Sequence, residues 1–194
     1  MPEPDQSQHA LPTGLVLAGG RSSRMGRDKA GLRLGDGKTL LEHSIDLLTR
    51  AGCDVVLVSG DHRQHSGIAD LYPHLGPLGG IASVLDVRPD LTGPLLVVPV
   101  DMPALDPRDL RRLLEQVGAG GQARFGHSPL PLALTVDDAL RRIIGEQIER
   151  GELAVHALAA RLDCTLIDID DPGRLDNINT PAQWQRLTSE SNDR

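Results

Sequence analysis

The chain reads as an α/β domain with a mostly parallel sheet and helices on both faces. Apolar runs of strand length alternate with helix-patterned segments along its whole length. The most hydrophobic run, Leu95–Val100, is continuous rather than alternating, as expected of a central strand buried on both sides. At 194 residues there is enough chain for one such domain with its own core. We expect that domain to span 13–188, between disordered polar tails at 1–12 and 189–194.

The elements follow in order. Leu15–Ala18 is a short apolar run, expected to be the first strand. Thr39 opens a helix, and Glu42 three residues later completes a capping box. Leu41, Ile45 and Leu48 form its buried stripe, and Gly52 stops it. Val55–Ser59 is the second strand. The loop Gly76-Pro77-Leu78-Gly79-Gly80 leads into a helix with Leu78, Ile81, Ala82 and Leu85 on one face. Leu95–Val100 ends at Asp101. Asp106 caps the next helix, with Pro107 at its first position. Thr135 is expected to cap a helix carrying Leu140, Ile143, Ile144 and Ile148. A shorter helix covers Leu153 to Leu162, a strand Thr165–Ile169, and Thr180 with Gln183 starts the last helix by the same capping logic.

Composition excludes several function classes. A net charge of −7 argues against general nucleic-acid binding, and no apolar segment is long enough to span a bilayer or serve as a signal peptide. Aromatics are 2% against 39% hydrophobic residues, so the core is built from Leu, Val, Ile and Ala. Cys53 and Cys164 lie far apart without metal-ligand spacing. They read as buried apolar residues in a reducing, cytoplasmic setting.

Against that acidic background stands a local cationic loop. The strand Leu15-Val16-Leu17 runs through Ala18 into Gly19-Gly20, followed by Arg21, Arg24, Arg27 and Lys29. Gly19 and Gly20 can offer backbone N–H groups to a phosphate or base, and Arg21, Arg24 and Lys29 can neutralise three phosphates. A tight turn with solvated arginines is the plain alternative; the position directly after an apolar strand favours the ligand. In parallel sheets, ligands bind beyond the carboxyl ends of the strands, which places Gly19 to Lys29, Ser59 and Asp101 along one edge. Asp101, between Pro99 and Pro103 at the tip of a buried strand, suits Mg²⁺, which is usually held by one or two carboxylates plus substrate phosphates. Asp70 can take a sugar hydroxyl or a base, although a solvated aspartate is the commoner fate. Asn179 or Asp176 can reach the same edge. His62 and His65 read as exposed polar residues rather than a metal site. Gly35-Asp36-Gly37-Lys38-Thr39 ends like a Walker A loop, but Leu32 stands where the P-loop needs its first glycine, so it reads as a turn.

The run Leu17-Ala18-Gly19-Gly20-Arg21-Ser22-Ser23-Arg24-Met25-Gly26-Arg27-Asp28-Lys29 resembles the signature of molybdenum cofactor guanylyltransferases, the MobA-type molybdopterin-guanine dinucleotide synthases. Gly76-Pro77-Leu78-x-Gly80, Pro99-Val100-Asp101-Met102-Pro103 and Asn177-Ile178-Asn179-Thr180-Pro181 match further motifs in the family's order. The resemblance implies a Rossmann-like, nucleotide-diphospho-sugar-transferase-like sheet. It implies transfer of GMP from GTP to the terminal phosphate of Mo-molybdopterin, with release of pyrophosphate. GTP contacts would fall on Leu17, Ala18, Gly19, Lys29, Asp70 and Asp101, with Asp101 also the Mg²⁺ ligand. Gly20 joins them through its N–H, and Ser59 stands where the family commonly has Asn. Lys29, Arg24 and the ion on Asp101 would carry the catalytic electrostatics. Gly126-His127-Ser128-Pro129-Leu130-Pro131 corresponds roughly to a His-Pro segment of the family. Transient contact with cofactor-delivery proteins stays open. A sister enzyme using CTP on molybdopterin, or an NTP on a sugar phosphate, is the nearest alternative. The Gly-Gly pair favours guanine, because cytidylyl enzymes typically carry Ala-Gly there. A nucleotide-binding regulator without turnover and a ligand-free structural module are the remaining readings.

Overall fold

The computed structural model describes residues 11–19, 29–117, 121–126 and 128–192. Gly20, Arg21, Arg24, His127 and most of the expected N-terminal tail lie outside them. Six strands form one sheet in the order β2-β1-β3-β5-β4-β6. β1 (Thr13–Leu17) pairs parallel with both β2 (Val55–Ser59) and β3 (Gly93–Pro99). The chain passes from β1 to one neighbour and then crosses to the other, so the order of strands reverses at β1 and β3, where open α/β sheets bind ligands.

The sheet is covered on both faces, as expected. Alternate β1 and β3 side chains point to opposite sides. Val16, Leu96 and Val98 join one core cluster with α1 (Leu40–Ala51) and α3 (Pro107–Val117). Leu15, Leu17, Leu95 and Val97 join the other with α2 (Gly76–Val87), α4 (Asp138–Glu149) and α5 (Val155–Arg161).

Local chemistry explains the helix ends. Thr39 Oγ1 accepts from the Glu42 amide while Glu42 Oε2 accepts from the Thr39 amide, closing the capping box of α1. The Thr39 amide holds the Glu42 carboxyl below its usual pKa. Gly52 ends α1 in the left-handed region at φ 109. The Gly-Lys-Thr sequence is a turn: Lys38 reaches Asp46 on α1. The glycine-rich loop at 76–80 is itself the first turn of α2.

The expected helix cap at Thr135 needs correction. Thr135 does not cap a helix. It lies in β5 (Leu132–Val136), and Asp137 is the N-cap of α4, accepting from the Leu140 amide at 2.7 Å. β5 runs antiparallel to β3 and to β4 (Ala123–Phe125), which leaves the sheet mostly parallel, as expected. The sequence reading missed both strands. β4 is three residues long, and β5 carries next to its end a threonine, Thr135, that reads equally well as a helix start. β6 (Thr165–Ile167) is shorter than expected, and α6 spans Pro181–Asn192.

Both cysteines are free. Burial pushes the Cys53 thiol up to about 12 and that of Cys164, only half-buried, up to about 11. Among the described residues no helix is long and apolar enough to cross a membrane.

Candidate active site

The parallel strands end level with one another. Leu17, the last residue of β1, pairs with Ser59 on one side and Pro99 on the other. Backbone bonds carry the alignment past the strands: Ala18 donates to Ser59 O at 3.0 Å and Val100 to Leu17 O at 3.1 Å. Residues that follow these strands therefore emerge at one height. They open onto a cavity of about 810 Å³ lined by Leu17, Ala18, Gly19, Lys29, Ser59, Asp70 and Asp101. Of the described candidates from the sequence reading, only Asp176 and Asn179 are not part of that lining.

The centre of the site is an ion pair. Lys29 Nζ donates to Asp101 Oδ2 at 2.8 Å and to Asn179 Oδ1, 150 residues away in sequence, also at 2.8 Å. Lys29 sits in a 3-10 turn, Lys29–Gly31, whose Ala30 is buried in the core. Asp101 sits just beyond β3. Its carbonyl accepts from the Ile178 amide at 2.8 Å, which draws the 177–179 segment over the strand end. Asn179 is itself fixed at the head of α6, where Gln183 Oε1 accepts from the Asn179 and Thr180 amides. Further back, Arg174 donates to the buried Asp109 of α3 at 2.7 Å and clamps the 172–175 turn to the domain. Asp106, held by Arg108, has its carboxyl pKa depressed to about 2.

The cavity wall at the ends of β1 and β2 is close-packed backbone. The Ala18 amide is engaged by Ser59, and its carbonyl accepts from His62 Nε2 at 3.2 Å, so Gly19 is the first position beyond that knot. His62 is thus half-buried and structural rather than solvated as expected. Ser59 is buried, with its hydroxyl packed on Gly80: a Cβ at Gly80 would lie 2.7 Å from Ser59 Oγ and 3.1 Å from Leu17 Cδ2. Only glycine there lets α2 approach the strand ends. Ser59 therefore shapes the floor, with little reach into the cavity.

Three features escaped the sequence reading. Ser83, inside α2, hydrogen-bonds Asp70. Pro73 and His74 line the cavity in advance of α2. Arg124 of β4 donates through Nη1 to the carbonyls of Phe125, Gly126 and Ser128 at 3.1, 3.3 and 3.4 Å. It thereby holds the loop whose Ser128, Pro129 and Leu130 form the far wall. A lone arginine between apolar residues gave no sign of this in the sequence.

The donor set fits a magnesium-type ion. Asp101 offers carboxylate oxygen and Asn179 amide oxygen, and no group of three or more His, Cys, Asp or Glu that could hold a metal occurs among the described residues. Such a site holds a hard cation only when a phosphorylated substrate completes the shell.

Comparison with known proteins agrees with this geometry. The family described as MobA-like NTP transferase domain matches residues 14–162. A molybdenum cofactor guanylyltransferase of Xanthomonas euvesicatoria pv. vesicatoria is 43% identical over 188 residues, covering 93% of this chain and 96% of the relative. A molybdopterin-guanine dinucleotide biosynthesis protein A from Archaeoglobus fulgidus superposes with a TM-score of 0.73 at 20% identity, covering 94% of this chain and all of the other. A Mycobacterium tuberculosis protein, Rv0371C, solved in complex with manganese, shares the fold with a TM-score of 0.58 at 20% identity, over 93% of this chain and 99% of the other.

Proposed function

Since the chain belongs to the MobA-like NTP transferase family, we propose that it is a molybdenum cofactor guanylyltransferase acting on GTP and Mo-molybdopterin. The observation that carries this reading is the Lys29–Asp101 pair at the level ends of three parallel strands, beside a cavity large enough for a nucleotide and a second substrate. Full-length similarity to a named guanylyltransferase supports the choice of base and acceptor.

In the reaction, an oxygen of the pterin's terminal phosphate attacks the α-phosphorus of GTP. A new P–O bond forms, the bond to the bridging oxygen of the β-phosphate breaks, and pyrophosphate leaves with that electron pair. The nucleophile is already anionic and needs no strong base. The barrier is repulsion between polyanions: two unit charges about 4 Å apart repel by roughly 4 kcal/mol at an effective dielectric of 20. Lys29, released from Asp101, meets the triphosphate, and Arg24 adds a second cation from the loop. Asp101, its carboxylate freed, would hold Mg²⁺. When bound there, the ion would supply positive charge against the triphosphate and the pyrophosphate. Gly19 presents its N–H to the phosphates, a role the sequence reading extends to Gly20, and Asp70 receives a donor of the nucleoside. The chain's work is positioning and preorganised charge.

The test is pyrophosphate release from each NTP with Mg²⁺ and Mo-molybdopterin. GTP alone is expected to support turnover. Release with CTP in place of GTP would transfer the reading to the cytidylyl class.

A further inference from the structure

Ser83 is completely buried in α2, and its hydroxyl sits among three polar partners. It accepts from the Leu71 amide at 2.9 Å. It lies 3.0 Å from Asp70 Oδ1 and 2.7 Å from Gly79 O, one turn back on its own helix. A hydroxyl has one proton to donate. Both the Asp70 carboxylate and the Gly79 carbonyl lie within reach of that proton, and the carboxylate is the stronger acceptor. Asp70 Oδ1 also accepts from the Tyr72 amide at 2.9 Å. One oxygen of Asp70 is therefore saturated from two directions, and Oδ2 takes no partner among the described residues.

The same helix holds the segment at a second point. Tyr72 donates its phenol to Asp86, three residues beyond Ser83 on the same side of α2. Asp86 raises the tyrosine's pKa. Gly79 lies under the Tyr72 backbone, where a Cβ would come within 2.8 Å of Tyr72 O. α2 begins at Gly76 and Pro77, which line the cavity. One helix thus sets both the glycine-proline lip and Asp70.

We propose that Ser83 is a positioning residue for nucleotide recognition: its buried hydroxyl turns Asp70 so that Oδ2 meets a hydrogen-bond donor of the bound nucleoside. This rests on reading the cavity as a GTP site. An ionised carboxylate only accepts, so the donor is a ribose hydroxyl or an N–H of guanine. An Asp70 freed of Ser83 has other rotamers available, and binding must then order the carboxylate.

The test measures binding of the non-reacting analogue α,β-methylene-GTP with Mg²⁺ to the full chain. The variants are Ser83→Ala, Ser83→Cys, Asp70→Ala and the double variant Ser83→Ala/Asp70→Ala, with thermal melting alongside. Ser83→Ala is expected to weaken binding about tenfold, equivalent to about 1.4 kcal/mol. Ser83→Cys, which keeps a side chain at the position but only a weak S–H donor, is expected to do the same. kcat at saturating GTP should stay within about twofold of wild type, because Ser83 touches no reacting atom. Asp70→Ala should weaken binding at least as much, and the double variant no further than Asp70→Ala alone. With the 2′,3′-dideoxy form of the analogue, the Ser83 penalty vanishes where the ribose supplies the donor and persists where guanine does. Either result keeps Asp70 as the receiving group. A Ser83 penalty of the same size without the Asp70 carboxylate would overturn the proposal, as would wild-type binding by Ser83→Ala beside a weakened Asp70→Ala. Wild-type binding by Asp70→Ala would instead remove Asp70 from the GTP site, and Ser83's part with it.

Discussion

On one side of the sheet β2, β1 and β3 run parallel and finish level. On the other, β5 runs against its neighbours, and β4 and β6 are three residues each. The first half delivers charge and backbone: Gly19, Lys29 and Asp101 leave strand ends or the turns beside them, and their spacing is set by the ladder. The second half delivers shape. Its share of the cavity is a loop, Ser128–Leu130, held by the Arg124 guanidinium. A parallel sheet edge gathers distant sequence into one site through register alone. An antiparallel return must be tied down residue by residue.

Breaking the first half should cost most. Asp101→Ala is expected to lower kcat by about 10³-fold or more, with the melting temperature little changed, because this carboxylate stands at a strand tip on the cavity wall rather than in the core. Steady-state pyrophosphate release and a melting curve check both parts. Lys29→Ala should cost about 10²- to 10³-fold in kcat by removing a phosphate cation. Near-normal turnover in either variant would mean that the charge work is done elsewhere.

Breaking the second half should look different. Arg124→Ala releases three loop carbonyls, and we expect KM for Mo-molybdopterin to rise about tenfold while the Kd for GTP holds. Equal damage to both substrates would show that the two halves do not divide the labour. The variant should also lose about 1 kcal/mol of stability in urea titration, since three carbonyls lose a partly buried donor.

The same asymmetry decided what the sequence revealed. β1, β2 and β3 were legible because buried parallel strands are continuous apolar runs, and their ends are marked by Gly19-Gly20, Ser59 and Asp101. α1 was legible to the residue through Thr39, Glu42 and Gly52. β4 was hidden because Ala-Arg-Phe is too short to show a period, and Thr135 misled because a hydroxyl at a strand end resembles an N-cap. The pairing of Ser83 with Asp70 was invisible too. Serine in a helix ordinarily bonds its own i−4 carbonyl, and only the fold brings Asp70 alongside.

The smallest expected effect lies at the head of α3, away from the cavity. Arg108 depresses the Asp106 carboxyl to about 2, below its ordinary 3.8. A carboxylate whose folded pKa is lowered contributes stability above its unfolded pKa and loses it as pH falls through the folded one. The contribution should therefore be present above about pH 4 and fade toward pH 2. Asp106→Asn should flatten that part of the stability curve in a urea titration across the acid range, and an unchanged slope would assign the acid transition to other carboxylates.

The central claim is tested most directly by a crystal soaked with α,β-methylene-GTP and Mn²⁺. We expect anomalous density for the ion on the Asp101 carboxylate, with Lys29 Nζ moved from Asp101 onto a phosphate. An ion bound elsewhere, with the 2.8 Å Lys29–Asp101 contact intact beside a bound nucleotide, would contradict the account.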